Sequence, residues 1–107
     1  MNECNLCEPE PCRNIIQPCW RYANNTIENQ LLQIRSETTE MLDELADNNL
    51  SAALIEMLDV YQACITGIEV FRRHGYDVDK AFEIMTEKNK FRGYYAKNGV
   101  LYEEPKP

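Results

Sequence analysis

Apolar residues recur at intervals of three and four residues through the middle of the chain. The first such stretch starts at about Thr26 and stops near the turn Asp47-Asn48-Asn49. Its apolar positions are Ile27, Leu31, Ile34, Met41, Leu42 and Leu45. Because a period near 3.6 residues is typical of an amphipathic helix, the pattern predicts a long first helix.

A second apolar stretch follows the turn. Asn49 or Ser51 can cap it, and His74-Gly75 supplies its C-terminal stop. Its apolar stripe consists of Leu54, Leu58, Tyr61, Ile65 and Ile68. Since the connection between the two helices is short, they are expected to pack antiparallel.

The remaining periodic segment predicts a third helix, which Asp77 or Asp79 opens and which ends between Lys90 and Gly93. After it, aromatic and aliphatic residues flank Asn98-Gly99, which indicates a small hairpin or an extended tail that turns at this dipeptide. The sequence has no internal repeat and no strand pattern long enough for a larger sheet. The predicted fold class is therefore all-α.

The two ends differ from this helical middle. Residues 1–25 contain four cysteines and three prolines with little helical pattern, which indicates an irregular Cys-rich arm. Residues 26–95 form the predicted helical domain, and residues 96–107 form a C-terminal tail. We expect an antiparallel bundle of about three to four helices, completed by association into a homodimer or homotetramer, because three amphipathic helices leave apolar surface uncovered.

Composition and charge exclude several classes of partner. The chain has 107 residues, a net charge of −7 and a pI near 4.7, whereas proteins that bind the phosphate backbone of nucleic acids normally carry a basic surface. No apolar run approaches the roughly 18 to 20 residues that cross a bilayer, and the first residues lack the pattern of a signal peptide. We expect a cytoplasmic protein without nucleic-acid or membrane partners.

Two acidic pairs are the most informative chemical feature: Glu37-x-x-Glu40 on the first helix and Glu56-x-x-Asp59 on the second. A spacing of three residues stacks both carboxylates of a pair on one helical face. Four carboxylates from adjacent helices would repel one another unless a cation lay between them, and oxygen ligands favour Mg²⁺, Mn²⁺ or Ca²⁺. The pairs predict a metal site.

These stretches, Ser36-Glu37-Thr38-Thr39-Glu40 and Glu56-Met57-Leu58-Asp59, resemble the motifs of the all-α nucleotide pyrophosphohydrolases of the MazG type, which are related to the dimeric dUTPases and dCTP pyrophosphatases. That family carries E-E-x-x-E on one helix and E-x-x-D on the next. The resemblance covers about residues 30–95 and includes the basic segment from Glu87 to Tyr95. The chain departs from the family at Ser36, which stands where the first glutamate usually does.

The resemblance implies a Mg²⁺-dependent or Mn²⁺-dependent enzyme that hydrolyses a nucleoside triphosphate to its monophosphate and pyrophosphate. The family's metal ligands are the second and third glutamates of the first motif, so the change at Ser36 leaves them in place. The implied catalytic and metal-binding residues are Glu37, Glu40, Glu56 and Asp59. The residues expected to contact phosphate oxygens are Lys88, Asn89 and Arg92.

Other residues allow more than one interpretation. Trp20 either covers a nucleobase or seals a helix-packing edge, and Gln30 and Gln33 either contact the base or sugar or are ordinary solvated residues. His74, the only histidine, is interpreted as a helix C-terminal residue rather than a catalyst, and Cys64 as a small buried hydrophobic residue.

The cysteines Cys4, Cys7, Cys12 and Cys19 form a second constellation, in which only Cys4-x2-Cys7 has the spacing of a zinc knuckle. Three interpretations stand: a structural Zn²⁺ site, free thiols or disulfides formed after isolation, and an iron–sulfur cluster.

Two other functions are alternatives to the pyrophosphohydrolase. One is a non-catalytic interaction or regulatory protein with the same fold, which Ser36 favours, and the other is a zinc-dependent adaptor organised around these cysteines.

Overall fold

A computed structural model of the chain describes residues 16–97 and 100–101. A single 3₁₀ turn, Trp20–Tyr22, precedes three helices: α1 (Ile27–Ala46), α2 (Leu50–Arg73) and α3 (Val78–Phe91). Two-residue strands, β1 (Ala96–Lys97) and β2 (Val100–Leu101), pair antiparallel after α3. The prediction of an all-α fold is confirmed for the described residues, and so is the small hairpin at its end.

Each helix begins at a residue whose side chain caps it. Thr26 Oγ1 accepts a hydrogen bond from the Asn29 amide at 3.0 Å, and Asn49 and Asp77 cap α2 and α3 in the same way. These bonds satisfy backbone N–H groups that have no partner within the helix. Of the alternatives left open by the sequence, Asn49 rather than Ser51 caps α2, and Asp77 rather than Asp79 caps α3.

The helices end where left-handed backbone interrupts them. Asn48 has φ 55° in the turn between α1 and α2, and Gly75 has φ 87° after α2. Only glycine adopts this region without steric cost, while asparagine tolerates it better than most residues. The turn at Asn48 is short, so α1 and α2 form an antiparallel helical hairpin, as expected.

The hairpin encloses a small core. Among the described residues, the buried hydrophobic ones are Ala23, Ala63 and Val70. Gln30 is buried with them: its Nε2 donates to the carbonyl of Ala63 at 2.9 Å, and its Oε1 accepts from Asn25. Gln30 is therefore neither a solvated residue nor free to contact a base or sugar. Its side chain instead joins α1 to α2 and to the segment before α1.

Gly67 lies in α2 where that helix packs against α1. A methyl group built there would lie 3.5 Å from Ile34 Cδ1 and 3.6 Å from Gln30 Cγ, which are ordinary contact distances. Because glycine inside a helix costs conformational entropy, we expect Gly67→Ala to raise the free energy of unfolding by about 0.5 to 1 kcal/mol. Urea unfolding monitored by circular dichroism measures it; a loss of stability would mean that the two helices cannot accept even a methyl group there.

Residues 16–25, called the N-terminal segment below, lie along α2 in the same direction as that helix. Gln62 Nε2 donates to the carbonyl of Gln17 at 2.8 Å, and the amide of Cys19 donates to Thr66 Oγ1 at 3.0 Å. Farther along, Arg73 donates to Asn24 at 2.7 Å. Three residues of α2, spread over about three turns, thus hold the segment in place.

α3 packs against the rest of the structure much less than α1 and α2 pack against each other. Its clearest contact with α2 is at the connection, where the rings of Phe71 and Tyr76 pack edge to face with centroids 5.3 Å apart. Phe91 at its far end is 94% exposed. Within residues 16–97 and 100–101, no helix has the length and apolar character required to cross a membrane.

Candidate metal site

Three carboxylates converge where α1 and α2 meet. One oxygen from each of Glu37, Glu56 and Asp59 lies within 4.8 Å of the others. Glu56 and Asp59 are three residues apart on the face of α2 that packs on α1, and the antiparallel arrangement brings Glu37 opposite them. The structure therefore brings together three of the four carboxylates that the sequence singled out.

The fourth, Glu40, lies outside this tight group but close to it. Burial is the largest cause of the raised pKa of Glu37, and the hydrogen bond and charge of Glu40 raise it further. Gln33 opposes this effect, because its Nε2 donates to Glu37 Oε1 at 2.8 Å. Gln33 is thus a partner of a site carboxylate rather than an isolated solvated residue.

Glu56 is the least well accommodated member of the group. Its Oε2 is buried and has no hydrogen-bond partner among the described residues. Burial raises the pKa of Glu56, and the charges of Asp59 and Glu37 raise it further. A carboxylate oxygen that is buried without a hydrogen-bond partner and lies near other carboxylates destabilises the fold, and a bound cation relieves both the missing partner and the repulsion. The oxygen-only ligand set fits Mg²⁺ or Mn²⁺.

This electrostatic arrangement predicts how the metal-free protein responds to pH. Because their pKa values are raised, Glu37 and Glu56 bind protons more tightly in the folded chain than in the unfolded chain. That stabilisation is fully present below the ordinary glutamate pKa of about 4.3 and is lost as the pH rises through the raised values. In EDTA, the melting temperature should therefore fall over this pH range, and Glu56→Gln should reduce the fall.

Asp43→Asn is the matched control, because it removes a charge from an exposed position of α1 outside the group. Thermal melts of the three proteins between mildly acidic and neutral pH, with and without Mg²⁺, make the comparison. If the melting temperature in EDTA depended on pH equally in Glu56→Gln and in the native chain, repulsion among the carboxylates would not destabilise the fold.

The expected phosphate-binding residues lie elsewhere in the chain. Lys88, Asn89 and Arg92 are at the far end of α3, and among the described residues none of them forms a hydrogen bond or ion pair with the carboxylate group. Asn89 Nδ2 makes only a long hydrogen bond of 3.4 Å to the hydroxyl of Tyr95. A single chain thus does not bring its basic end to its own carboxylates.

Trp20 is also separated from the carboxylates. It is 71% exposed, and the guanidinium of Arg73 lies over its ring at 5.1 Å from the centroid. Arg73 follows Asp59 by fourteen residues in α2, which corresponds to about 21 Å along the helix axis. Hydrogen bonds from Arg73 and Arg72 lower the pKa of Glu69 and hold this region together. Trp20 therefore packs on a cation and leaves much of its surface open.

Two further residues beside the carboxylates, Gln62 and Thr66, are not predicted by the sequence pattern. Both follow Asp59 on the same side of α2, at offsets of three and seven residues, and both anchor the N-terminal segment beside the carboxylates. The buried Thr66 hydroxyl accepts from Cys19 and donates to the carbonyl of Gln62 at 3.0 Å. The offset from Asp59 was the available signal, but it does not reveal that another segment packs there.

The cysteine constellation is mostly outside the described residues, since Cys4, Cys7 and Cys12 precede residue 16. Cys19 is half-buried, and neither it nor Cys64 forms a disulfide in the described part of the chain. Cys64 is half-buried as well, which corrects the expectation of a buried residue. His74 caps α2, with Nδ1 2.7 Å from the carbonyl of Val70, as its interpretation as a C-terminal helix residue requires.

Comparison of the chain with known protein families, curated proteins and solved structures finds no match. The geometry of the carboxylates and the resemblance of the two acidic motifs are the observations that point to a function.

Proposed function

We propose that the protein is a Mg²⁺-dependent nucleoside triphosphate pyrophosphohydrolase that releases a nucleoside monophosphate and pyrophosphate. The observation that carries the proposal is the convergence of Glu37, Glu56 and Asp59, with an unpartnered, buried oxygen on Glu56. Convergence of three carboxylates raises their mutual repulsion, which a bound cation would offset. A function that uses a cation accounts for it.

The residues have distinct roles in this proposal. Glu37, Glu56 and Asp59 hold the metal ion, and Gln33 fixes the orientation of the Glu37 carboxylate through its 2.8 Å hydrogen bond. A bound Mg²⁺ supplies positive charge against the phosphates and lowers the pKa of a water molecule. Glu40 lies next to the group without belonging to it, so we assign it the acceptance of a proton from the attacking water. Attack at the α-phosphorus follows from the motif resemblance.

A screen of common and modified nucleoside triphosphates tests the proposal. Each is incubated with the protein and Mg²⁺, and pyrophosphate and orthophosphate are measured separately. We expect pyrophosphate release from at least one nucleotide and its loss in EDTA. Release of orthophosphate alone would indicate attack at the γ-phosphorus and would contradict the proposed bond cleavage.

The rival of a non-catalytic protein with the same fold makes a different prediction. Ser36, which replaces the first motif glutamate, is exposed on α1 outside the carboxylate group, so it is not a member of the ligand set. Calorimetry with Mn²⁺ and with a non-hydrolysable nucleotide separates the two functions. An enzyme binds both, whereas binding of metal without nucleotide, together with no turnover in the screen, would support the rival.

A further inference from the structure

The N-terminal segment packs on the α1–α2 hairpin next to the carboxylate group. Ala23 of this segment is buried, and so is Thr66, which hydrogen-bonds to the segment. The first bond that holds the segment runs from Gln62 to the carbonyl of Gln17. Gln62 follows Asp59 by three residues in α2, which is about 4.5 Å along the helix axis. The segment thus starts at the edge of the carboxylate group.

The hydrogen bonds to α2 also set the direction of the segment. Its anchored residues follow the same order as their partners on the helix: Gln17 with Gln62, Cys19 with Thr66, and Asn24 with Arg73. From the first partner to the second, α2 advances by four residues, or about 6 Å, while the segment advances by two. About 3 Å per residue is close to the rise of an extended chain. Near the carboxylates, the segment therefore runs parallel to α2 as extended backbone.

Thr66 shows that this docking is a specific part of the packed structure. A buried hydroxyl without partners destabilises a fold, whereas valine has a similar shape and no polar atom. The Thr66 hydroxyl has partners, because it accepts from the Cys19 amide and donates to the carbonyl of Gln62, both at 3.0 Å. The buried hydroxyl thus fixes the position at which the segment meets α2.

The start of the segment limits where the preceding residues can lie. Arg13 precedes Gln17 by four residues, a stretch that spans at most about 14 Å when it is fully extended. Glu56 precedes Gln62 by six residues, which is about 9 Å along the axis of α2. Pro18 favours extended backbone at Gln17, so the chain before it is directed along the helix. Arg13 is therefore within reach of the carboxylate group.

The carboxylate group forms no ion pair within residues 16–97 and 100–101. The ion pairs found there belong to Glu69, Glu83 and Glu87. Arg35 is two residues from Glu37, so it projects from the opposite side of α1. Arg13 is the only lysine or arginine among residues 1–15. Its guanidinium suits a phosphate group, because it keeps its charge and donates two parallel hydrogen bonds.

We propose that the chain enters the N-terminal segment across the carboxylate group and that the Arg13 guanidinium donates hydrogen bonds to phosphate oxygens of the triphosphate bound there. This inference rests on the proposed function, because it requires a metal-bound triphosphate at the carboxylates. Arg13 then adds positive charge from the same chain to that of the metal ion. The acidic residues before it are farther along the chain from the Gln17 anchor. They are Glu3, Glu8 and Glu10.

Calorimetry of the full chain with inorganic triphosphate in saturating Mn²⁺ tests the contact without depending on the base or on turnover. We expect Arg13→Ala to weaken triphosphate binding at least about tenfold, and Arg13→Lys to weaken it less, because lysine keeps the charge. Arg21→Ala is the matched control and should change the affinity less than about twofold. Arg21 belongs to the segment, and its guanidinium lies 5.6 Å from the centroid of the Tyr22 ring.

The outcomes separate this inference from the proposed function. Equal triphosphate affinity in Arg13→Ala and the native chain would overturn the role of Arg13 and leave the metal site in place. A native chain that binds Mn²⁺ but no triphosphate would overturn both.

Nuclear magnetic resonance of the ¹⁵N-labelled chain tests the course of the backbone independently, because Mn²⁺ broadens the signals of nuclei close to it. We expect Mn²⁺ to broaden the amide signals of Asn14 and Ile15 together with those of Glu37 and Asp59. The amide of Asn24 should stay sharp, since Arg73 holds this residue about 21 Å from Asp59 along α2. Broadening at Glu37 and Asp59 without broadening at Asn14 and Ile15 would show that the chain does not cross the carboxylates.

Discussion

Asp59→Asn should lower the rate of pyrophosphate release by at least about a hundredfold while the helical content stays unchanged. Asp59 contributes one of the three oxygens that lie within 4.8 Å of one another, and asparagine offers a neutral oxygen in place of a charged one. In the proposed reaction, a bound cation would screen the phosphates and activate water, and loss of one charged ligand would weaken its binding. Steady-state pyrophosphate assays and circular dichroism measure the two quantities.

Asp43→Asn supplies the matched control for this prediction. It makes the same chemical change at an exposed position of α1 that is not in the carboxylate group, and its activity should stay near the native level. Glu37→Gln should behave like Asp59→Asn, because it removes a charge from the same group. Near-native turnover in both Glu37→Gln and Asp59→Asn would show that the reaction does not need a metal ion at these carboxylates.

Excess Mn²⁺ distinguishes weakened metal binding from damage to the fold. If Asp59→Asn acts through metal affinity, a higher Mn²⁺ concentration should restore part of the turnover, because mass action refills a weakened site. A folded variant that no concentration of metal restores would instead assign Asp59 a direct part in moving a proton.

Arg92→Ala should weaken binding of a non-hydrolysable nucleoside triphosphate about fivefold to 150-fold, which corresponds to about 1 to 3 kcal/mol. This is the range for losing a charge-assisted hydrogen bond to an anion. Mn²⁺ binding at the carboxylates should stay unchanged, because Arg92 lies at the far end of α3. Lys80→Ala is the control, since Lys80 carries the same charge at the other end of that helix and pairs with Glu83 at 3.3 Å.

A mixed assembly shows which chain provides Arg92. Since one chain does not bring Arg92 to its own carboxylates, the partner copy is the source that we expect. Pairing an Asp59→Asn chain with an Arg92→Ala chain then creates one site with both defects and one intact site, so activity returns. If each chain used its own Arg92, both sites would be defective and mixing would restore nothing.

Local signals in the sequence were sufficient for the helices. Thr26, Asn49 and Asp77 cap them, and Gly75 ends α2, because each acts on backbone groups within three or four residues of itself. The stacking of Glu56 on Asp59 is local in the same sense, since helical periodicity alone aligns residues three apart. The short turn at Asn48 likewise made α1 and α2 antiparallel.

Tertiary packing decided which of these faces meet. The way α1 packs on α2 places Glu37 within the carboxylate group and Glu40 next to it. The sequence does not distinguish the two residues, because they form one acidic pair on the same face of α1. The packing also buries Gln30, whose amide finds partners 33 residues and five residues away. Contacts between residues far apart in the sequence depend on how distant segments pack together, and a short stretch of sequence does not carry that information.

The sequence by itself thus determined the helices, their caps and the pairing of acids on single faces, because these depend on 3.6-residue periodicity and on nearby backbone groups. Only the tertiary structure decided that the N-terminal segment lies on Gln62 and Thr66, and that Glu37 of α1 meets Glu56 and Asp59 of α2. The physical reason is that a helix has several faces of similar character, and the choice among them depends on the free energy of packing the whole chain.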